Sequence, residues 1–537
     1  MLDNKFKKLK YLNFIPLVLL IFSIVLTKEI IYLFYDINES PDIDKYIIYI
    51  DHFFKNITTD KEHGLAYYYL HAINLNVFFD DFSNIQLALH KSILNINLFI
   101  YIYGLIGYFL LLKHFKFKSS TIYFTLMFLN FFPPILSMRM MLKPEILAFS
   151  LLPWILYLIE EYKSTNKLIY LILATPLLIG SVTLKGNILV IFLIYLLTTC
   201  YKILFNLKLK QLFTLLTMFL LMFISVSIEN NISNGKNILD IQSGSSIEEN
   251  YDYKANKNII YKVDMYQLFS SPIKHNHADS FISITLLETN GDYFDLFWDN
   301  NASAMFEARK PFITFIQSNK LKKPEFNNET QTLNIFRQRN TDIYLYETIG
   351  LLLSIYLFYQ LIKQLLFDKK YRNFYVAVFI GMCVILFHAI TGIPKNNFDP
   401  LVGDTFKIIY YVFVFSLSFV FVVARKLDDG TFKPYGIVIY GLITLFILGF
   451  PKISYENSLN SIVPKLQSSN LCSIEKNIIF GYYNLEEVNC GYVEKSSNLN
   501  SNFTKIYHKP VNLVLIVINL LISLSTTVRF FNKKRTG

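Results

Sequence analysis

Cysteine is scarce in this sequence, with four residues among 537. No cysteine or histidine spacing typical of a metal site is present, so nothing in the sequence indicates a zinc-binding module. Cys200 and Cys383 fall inside apolar runs, where a small buried apolar role is expected. Cys472 and Cys490 share one segment on the predicted extracytoplasmic side, and an oxidising compartment there leaves open a local disulfide between them.

Two further absences limit the functional classes. No internal repeat is evident, which disfavours a transporter built from duplicated halves. The first apolar segment is followed by no small-residue cleavage site, so we expect a retained signal anchor and not a cleaved signal peptide. Four basic residues precede that segment: Lys5, Lys7, Lys8 and Lys10.

Long apolar runs are what the sequence has in abundance. Hydrophobic residues make up 53% of the chain, too large a share for an ordinary soluble protein of this length. A β-barrel would show short alternating segments instead. Runs able, or nearly able, to cross a hydrocarbon core of about 30 Å predict an all-α integral membrane protein with about 12 transmembrane helices. These runs are 11–27, 93–112, 121–137, 145–160, 168–183, 187–201, 211–228, 345–362, 373–391, 406–424, 434–450 and 510–528.

The formal net charge of +11 marks topology, not nucleic-acid binding. If the basic N-terminal tail is cytosolic, the positive-inside rule requires every second connection to be basic, and each of them is. The sequence therefore predicts both termini in the cytosol and no nucleic-acid partner. The basic connections hold Lys113, Lys116, Lys118, Lys163, Lys167, Lys202, Lys208, Lys210, Lys363, Lys369, Lys370, Arg372, Arg425, Lys426 and Lys433, and the C-terminal tail holds Arg529, Lys533, Lys534 and Arg535.

The long connections all lie on the opposite, extracytoplasmic side. The central one is too long for a simple connector, so it is expected to form a small domain or re-entrant helices that cap the bundle. The predicted organisation is an N-terminal transmembrane module (1–228) with a first extracytoplasmic loop (28–92), a central extracytoplasmic region (229–344), C-terminal transmembrane helices (345–450), an extracytoplasmic loop (451–508), and a last helix with a basic tail (509–537).

Acidic residues cluster in the first extracytoplasmic loop. Asp42 and Asp44 stand at the start of a segment whose apolar spacing predicts an amphipathic helix lying on the membrane surface, and Tyr46 follows Asp42 by four residues. Asp36 lies nearer the first apolar run. Acidic residues at a helix start also complement the helix dipole, so spacing alone leaves a structural role open. A second surface segment, with His63 before an aromatic run, follows.

Basic residues on the extracytoplasmic side have no topological reason to be there, because the positive-inside rule disfavours them. Arg139 and Lys143 precede Glu145 in a predicted outer turn, Lys185 lies in the next outer turn, and Lys407 precedes an apolar run. Long basic side chains can also reach lipid headgroups without any catalytic role, and this alternative stays open for each. Glu145 is expected to start a helix or to pair with Lys143.

The order of these motifs resembles the GT-C glycosyltransferases, polytopic enzymes that use sugars linked to polyprenyl phosphate and include the protein mannosyltransferase and aminoarabinose transferase groups. The resemblance rests on Asp42-Ile-Asp44-Lys-Tyr46 after the first helix, on Glu62-His63-Gly64-Leu-Ala-Tyr67, and on Ser137-Met-Arg139-Met-Met-Leu-Lys143-Pro144-Glu145. It implies a GT-C-like fold with amphipathic juxtamembrane helices in the first loop, and an active site facing the periplasm or exterior of a bacterial inner membrane.

The resemblance also implies roles. Basic groups would stabilise the phosphate anion that leaves during transfer, and Arg139, Lys143, Lys185 and Lys407 are the candidates. A carboxylate would accept the acceptor's proton, with Asp42 first, Asp44 second and Asp36 third. His63, Tyr46 and Glu145 are candidate substrate-binding residues. The acids alternatively hold a divalent cation, so a metal cofactor is left open.

The predicted partners are a polyprenyl-phosphate sugar donor, membrane lipids, and a glycan, lipid or protein acceptor. Two other functional classes remain: a transporter or flippase of lipid-linked saccharides, and a polysaccharide polymerase or ligase. A transporter should show ionisable or broken segments at mid-membrane, and the runs are comparatively free of charge. A polymerase would use basic residues of the central loop, where Lys274, His275 and His277 are found.

Overall fold

The part of the chain that the computed structural model describes is helical, without a β-strand. The described residues are 14–34, 50, 66–78, 85–184, 213–214, 216–225, 263–270, 272, 277, 280–290, 329–391, 412–445 and 521. We number the helices α1 (Ile15–Phe34), α2 (Ala66–Phe78), α3 (Ile85–His114), α4 (Ser119–Phe131), α5 (Pro133–Met140), α6 (Glu145–Thr165), α7 (Ile169–Leu184), α8 (Leu216–Ser225), α9 (Met265–Ser270), α10 (Phe281–Asn290), α11 (Glu329–Phe367), α12 (Arg372–Thr391), α13 (Val412–Asp428) and α14 (Pro434–Leu445).

The helices follow the apolar runs closely, and the all-helical prediction is confirmed for the described residues. Ten of the twelve predicted runs coincide wholly or partly with a helix, while 187–201 and 510–528 lie outside the description, apart from Leu521. Two described segments, Ser92–His114 and Glu347–Phe367, are long and apolar enough to cross a membrane by themselves. The protein therefore has helices suited to a membrane.

The predicted run 121–137 does not form one straight helix. It divides at Phe132 into α4 and α5, whose axes differ in direction by 66°. The break follows from Pro133 and Pro134, because neither residue has a backbone N–H to donate to the preceding turn of α4. Residues 137–140 consequently belong to a helix and not to the predicted outer turn, which contracts to residues 141–144.

Connections predicted to share the cytosolic side of the membrane lie together at one end of the bundle. The ring of Phe115, between α3 and α4, is 5.5 Å from that of Tyr371, between α11 and α12, and 5.4 Å from that of Phe421 in α13. His114 Nδ1 is 2.9 Å from Glu161 Oε1 in α6. We call this the basic end, because it gathers the lysines and arginines of these connections.

Backbone conformation explains how the basic end turns so tightly. Lys116 and Asn166 have positive φ angles of 65° and 57°, and Gly430 has a φ of 75°. Asn and Gly are the residues that enter the left-handed region most readily, so the ends of α6 and α13 are specified locally. Lys116 adopts the same region without that advantage, and the aromatic packing of Phe115 and Phe117 beside it holds the turn.

The outer sides of several helices are apolar, whereas polar side chains lie inside. On α11, the exposed large side chains recur at the helical spacing of Leu352, Tyr356 and Tyr359, each about half exposed. On α1, Ile15 and Phe22 are exposed in the same way while Thr27 is fully buried. Lipid surroundings suit this distribution, since water would meet continuous apolar stripes.

A helix from the predicted central loop enters the bundle. Asn290, the last residue of α10, donates from Nδ2 to Ser354 Oγ at 3.0 Å and accepts from the Tyr440 hydroxyl at 2.7 Å. Ser354 lies 13 residues before Phe367, which is about 20 Å of helix from the basic end. The central region thus contributes α10 to the interior of the bundle.

Helices α3 and α6 approach each other closely. Gly104 and Gly107 of α3 face Ser150 and Trp154 of α6, and the Trp154 indole N–H donates to the Tyr103 carbonyl at 3.0 Å. Small residues permit such close approach of helix backbones in a membrane. This contact fixes the position of α6, which begins at Glu145.

Candidate functional site

Three ionisable residues of one short segment are buried in the part of the bundle that lies away from the basic end. Arg139, Lys143 and Glu145 are each no more than 2% exposed. Glu145 lies 15 residues, about 22 Å of helix, from Glu160 near the basic end of α6. Polar groups sequestered within a bundle of apolar helices are expensive to bury and mark functional positions.

Arg139 is held by neutral groups from three other helices. Its Nη1 donates to Thr27 Oγ1 and to Asn130 Oδ1, both at 2.9 Å. Its guanidinium carbon lies 4.7 Å from the centre of the Tyr101 ring, in cation–π geometry. Nε has no hydrogen-bond partner among the described residues. Within that part of the chain, the guanidinium is therefore a buried cation without a paired carboxylate.

The Arg139 contacts lie beside the break between α4 and α5. Asn130 Nδ2 donates to Ser23 Oγ at 3.2 Å, and the Thr27 hydroxyl lies 3.3 Å from Asn130 Oδ1. Asn130 is 11 residues from Ser119, so this polar cluster stands about 16 Å of helix above the basic end. The cluster is thus at mid-height, deeper than the predicted outer surface.

Helix α2 belongs to the predicted first extracytoplasmic loop and contacts this segment. The Tyr67 hydroxyl donates to Asn97 Oδ1 at 2.8 Å and lies 3.5 Å from the carbonyl of Met141. Burial, with the nearby negative charge of Glu145, raises the pKa of Tyr67, so its phenol stays protonated. Tyr67, the last residue of one motif recognised in the sequence, therefore meets the second motif, which runs from Ser137 to Glu145.

Asn97 was not predicted from the sequence, although its side chain binds the 138–141 segment at three points. Its Nδ2 lies 3.2 Å from the carbonyl oxygens of Met138 and Arg139 and 2.9 Å from that of Met141. The signal was present: an amide in the interior of the apolar run 93–112 must find polar partners. Asn130 and Thr27 were not predicted either, although they too are polar residues inside apolar runs.

Most predicted site residues lie outside the described residues. Of the candidates, Arg139, Lys143 and Glu145 are described, and the structure brings them together at the α5–α6 connection. Glu145 is the first residue of α6, as expected. Outside the described residues lie Asp36, Asp42, Asp44, Tyr46, His63, Lys185, Lys407, Cys472 and Cys490, with Lys274 and His275.

Within the described residues, no group of three or more histidines, cysteines or carboxylates is placed to hold a metal ion. The first-loop acids, for which binding of a divalent cation is the alternative prediction, are not among those residues. His277 is described and buried, but the basic residues that accompany it in the sequence are not.

His71 gives the docking of α2 a pH dependence. Burial lowers the pKa of His71 to about 3, and the Asn97 side chain opposes this shift only in part. Because the unfolded chain binds this proton below about pH 6.5 and the folded chain does not, stability falls as the pH drops from 7 toward 3.

We expect acidification from pH 7.5 to 5.5 to cost about 1 kcal/mol through His71. The thermal midpoint of the detergent-solubilised protein should fall over this range, and His71→Gln should reduce that fall. His114→Gln, the same substitution at the basic end and outside α2, is the control and should leave the fall unchanged. An equal pH dependence in wild type and His71→Gln contradicts the prediction.

Comparison of the chain with protein-family models, with curated proteins and with solved structures gives no match.

Proposed function

We propose that the protein is a membrane glycosyltransferase that moves a sugar from a polyprenyl-phosphate donor to an extracytoplasmic acceptor. One observation carries the proposal: α2, which follows the acidic first-loop motif, packs on Asn97 and on the segment that holds Arg139, Lys143 and Glu145. The described helix of the first loop thereby lies against the segment that holds the bases, and in this proposal the first-loop acids belong to the same site. The proposed orientation puts that site outside the cytosol.

The chemistry needs a base and an anion-stabilising group. In the proposed reaction, an acceptor hydroxyl or amine gives its proton to a first-loop carboxylate, Asp42 in our assignment. Its freed lone pair forms a bond to the sugar's anomeric carbon, while the bond from that carbon to the phosphate oxygen breaks and leaves the electron pair on the phosphate. Lys143, with Lys185 and Lys407, is assigned to the leaving phosphate.

Arg139 contributes differently in this proposal. Its contacts are neutral and its surroundings exclude water, so its positive charge is screened far less than that of a surface residue. A cation in such a place lowers the energy of an anion forming above it without touching it. Lys143, four residues further along, is the residue assigned to direct contact.

The test is a transfer assay on the purified protein in proteoliposomes, with a panel of radiolabelled polyprenyl-phosphate sugars and a cell-envelope extract as acceptor. We expect transfer from at least one donor, and loss of at least about 100-fold in Asp42→Ala with normal expression, as for removal of a general base. Asp428→Ala near the basic end is the matched control. Full activity in Asp42→Ala, Asp44→Ala and Asp36→Ala would exclude this mechanism.

A second function, transport of a lipid-linked saccharide, is favoured by one observation. The break between α4 and α5, with Arg139 and Asn130 beside it, is a proline-interrupted polar segment at mid-height, which the sequence alone did not predict. Transporters use such broken helices to build substrate sites. Movement of a fluorescent polyprenyl-phosphate sugar across the bilayer without release of polyprenyl phosphate would support transport, whereas release with product formation supports transfer.

A further inference from the structure

Helix α5 ends in an unusual way. The last carbonyls of a helix lack N–H partners within the helix and are commonly satisfied by a left-handed residue that reverses the chain. Met141, which follows α5, is extended at φ −91° and ψ 147°. Its N–H still bonds to the Ser137 carbonyl at 3.1 Å, but the carbonyls of Met138 and Arg139 need another partner.

Asn97 supplies that partner from a neighbouring helix. Two amide hydrogens serve three carbonyls, those of Met138 and Arg139 at 3.2 Å and that of Met141 at 2.9 Å. Asn97 is fully buried, so water does not compete for these bonds. One side chain thus caps α5 and fixes the direction in which the chain leaves toward Lys143.

The other half of the same amide holds the first loop. Asn97 Oδ1 accepts from the Tyr67 hydroxyl at 2.8 Å. The rest of α2 is tied to α3 nearby, where Asn74 Nδ2 donates to Ser92 Oγ at 2.9 Å and His71 Nδ1 lies 3.3 Å from the same oxygen. The acceptor atom of Asn97 therefore serves α2, and its donor atom serves the α5–α6 connection.

We propose that Asn97 is a positioning residue, whose amide sets the first-loop helix α2 and the Arg139–Glu145 segment at a fixed distance from each other for the transfer reaction. This inference rests on the proposed function. The inference goes beyond the proposed function, because it assigns the spacing between the base and the phosphate site to a residue that touches neither substrate. A primary amide makes both sets of bonds because it carries two donor hydrogens and an acceptor oxygen on one planar group.

Asn97→Asp tests the assignment with little change of shape. An ionised carboxylate still accepts from Tyr67 but cannot donate. The carbonyls of Met138 and Arg139 therefore lose the Asn97 donor, and that of Met141 keeps the Lys143 N–H at 2.9 Å. A protonated carboxyl regains one donor, and burial favours protonation. We expect the ratio of kcat/KM of the variant to that of wild type to be about 0.1 or less at pH 7.5 and to rise severalfold at pH 5.5.

Taking the ratio at each pH removes the titration of groups common to both proteins, among them Tyr67, His71 and Glu145. A merely structural role would lower the ratio equally at both pH values, or lower it further in acid. A ratio near one at pH 7.5, or a lowered ratio that does not rise at pH 5.5, overturns the proposal. If the Asn97→Asp variant is not recovered folded, Tyr67→Phe tests the proposal instead, since it removes only the hydroxyl that bonds to Asn97 Oδ1. We expect about a tenfold loss of kcat/KM from it, and an unchanged value overturns the proposal.

Hydrogen exchange separates this inference from the proposed function. Backbone amides of residues 138–145 should exchange at least about tenfold faster in Asn97→Asp than in wild type at pH 7.5, because the segment has lost its anchor. If wild type transfers no sugar, the proposed function fails, and hydrogen exchange alone tests whether Asn97 anchors residues 138–145. Unchanged exchange with active wild type overturns the role of Asn97 and leaves the proposed function standing.

Discussion

Arg139→Met should lower the rate of sugar transfer at least about 100-fold, while the thermal midpoint stays within about 2 °C of wild type. The guanidinium makes two charge-assisted hydrogen bonds and one cation–π contact, but its burial costs several kcal/mol and Nε has no partner among the described residues. Because the described partners of Arg139 are neutral, an apolar side chain of similar length removes the cost of burying the charge and leaves no unpaired carboxylate among them. After the substitution, Asn130 Oδ1 can still accept from the Thr27 hydroxyl.

Arg425→Met is the matched control, with the same substitution at the basic end. Arg425 lies 3.7 Å from Asp368 and is partly exposed. The Arg425→Met variant should therefore keep its activity and lose no more than about 1 kcal/mol of stability. Thermal unfolding in detergent and the transfer assay measure both variants. If Arg139→Met alone fails to fold, Arg139 serves the structure, and if it transfers sugar at the wild-type rate, the charge has no part in the reaction.

The helices were predictable from the sequence because lipid makes long apolar runs and charge alternation the dominant signals. The contacts of Phe115 with Tyr371 and Phe421 bring to one end of the bundle two connections that the basic residues assign to one side of the membrane. The break at Pro133 was not predicted, because hydrophobicity averaged over 121–137 conceals it. Two consecutive prolines were the available signal, since they end a helix.

The candidate site was less predictable for a physical reason. Charged residues stand out in an apolar sequence, so Arg139, Lys143 and Glu145 were found, whereas Asn97 and Thr27 were not. The importance of a buried amide depends on which carbonyls lie within hydrogen-bond distance of it, and that is set by the packing of α3 on α5. Side-chain direction on a helix is visible in the sequence, but the partner that it meets is not.

Gly104→Val should strongly destabilise the bundle. A Cβ atom at Gly104 would lie 2.9 Å from the Cα of Ser150, a backbone atom that cannot turn away as a flexible side chain would. The α3 and α6 backbones would have to separate, which loses the packing of Trp154 and its hydrogen bond to Tyr103. We expect at least about 3 kcal/mol of destabilisation, seen as a low yield of folded protein and a lower thermal midpoint.

Gly436→Val is the control for the substitution itself, because a Cβ at Gly436 in α14 meets no atom within 4 Å. It should be nearly neutral, since valine is at least as good as glycine in a helix. Gly107→Ala adds a graded test, because its Cβ would lie 2.8 Å from the Trp154 ring, which has some freedom to tilt. The expected order, from most to least stable, is Gly436→Val, then Gly107→Ala, then Gly104→Val.

Equal stability of Gly436→Val and Gly104→Val would mean that α3 and α6 do not pack through Gly104. Because α6 begins at Glu145, the same separation would displace the candidate site, so any folded Gly104→Val should also transfer sugar more slowly.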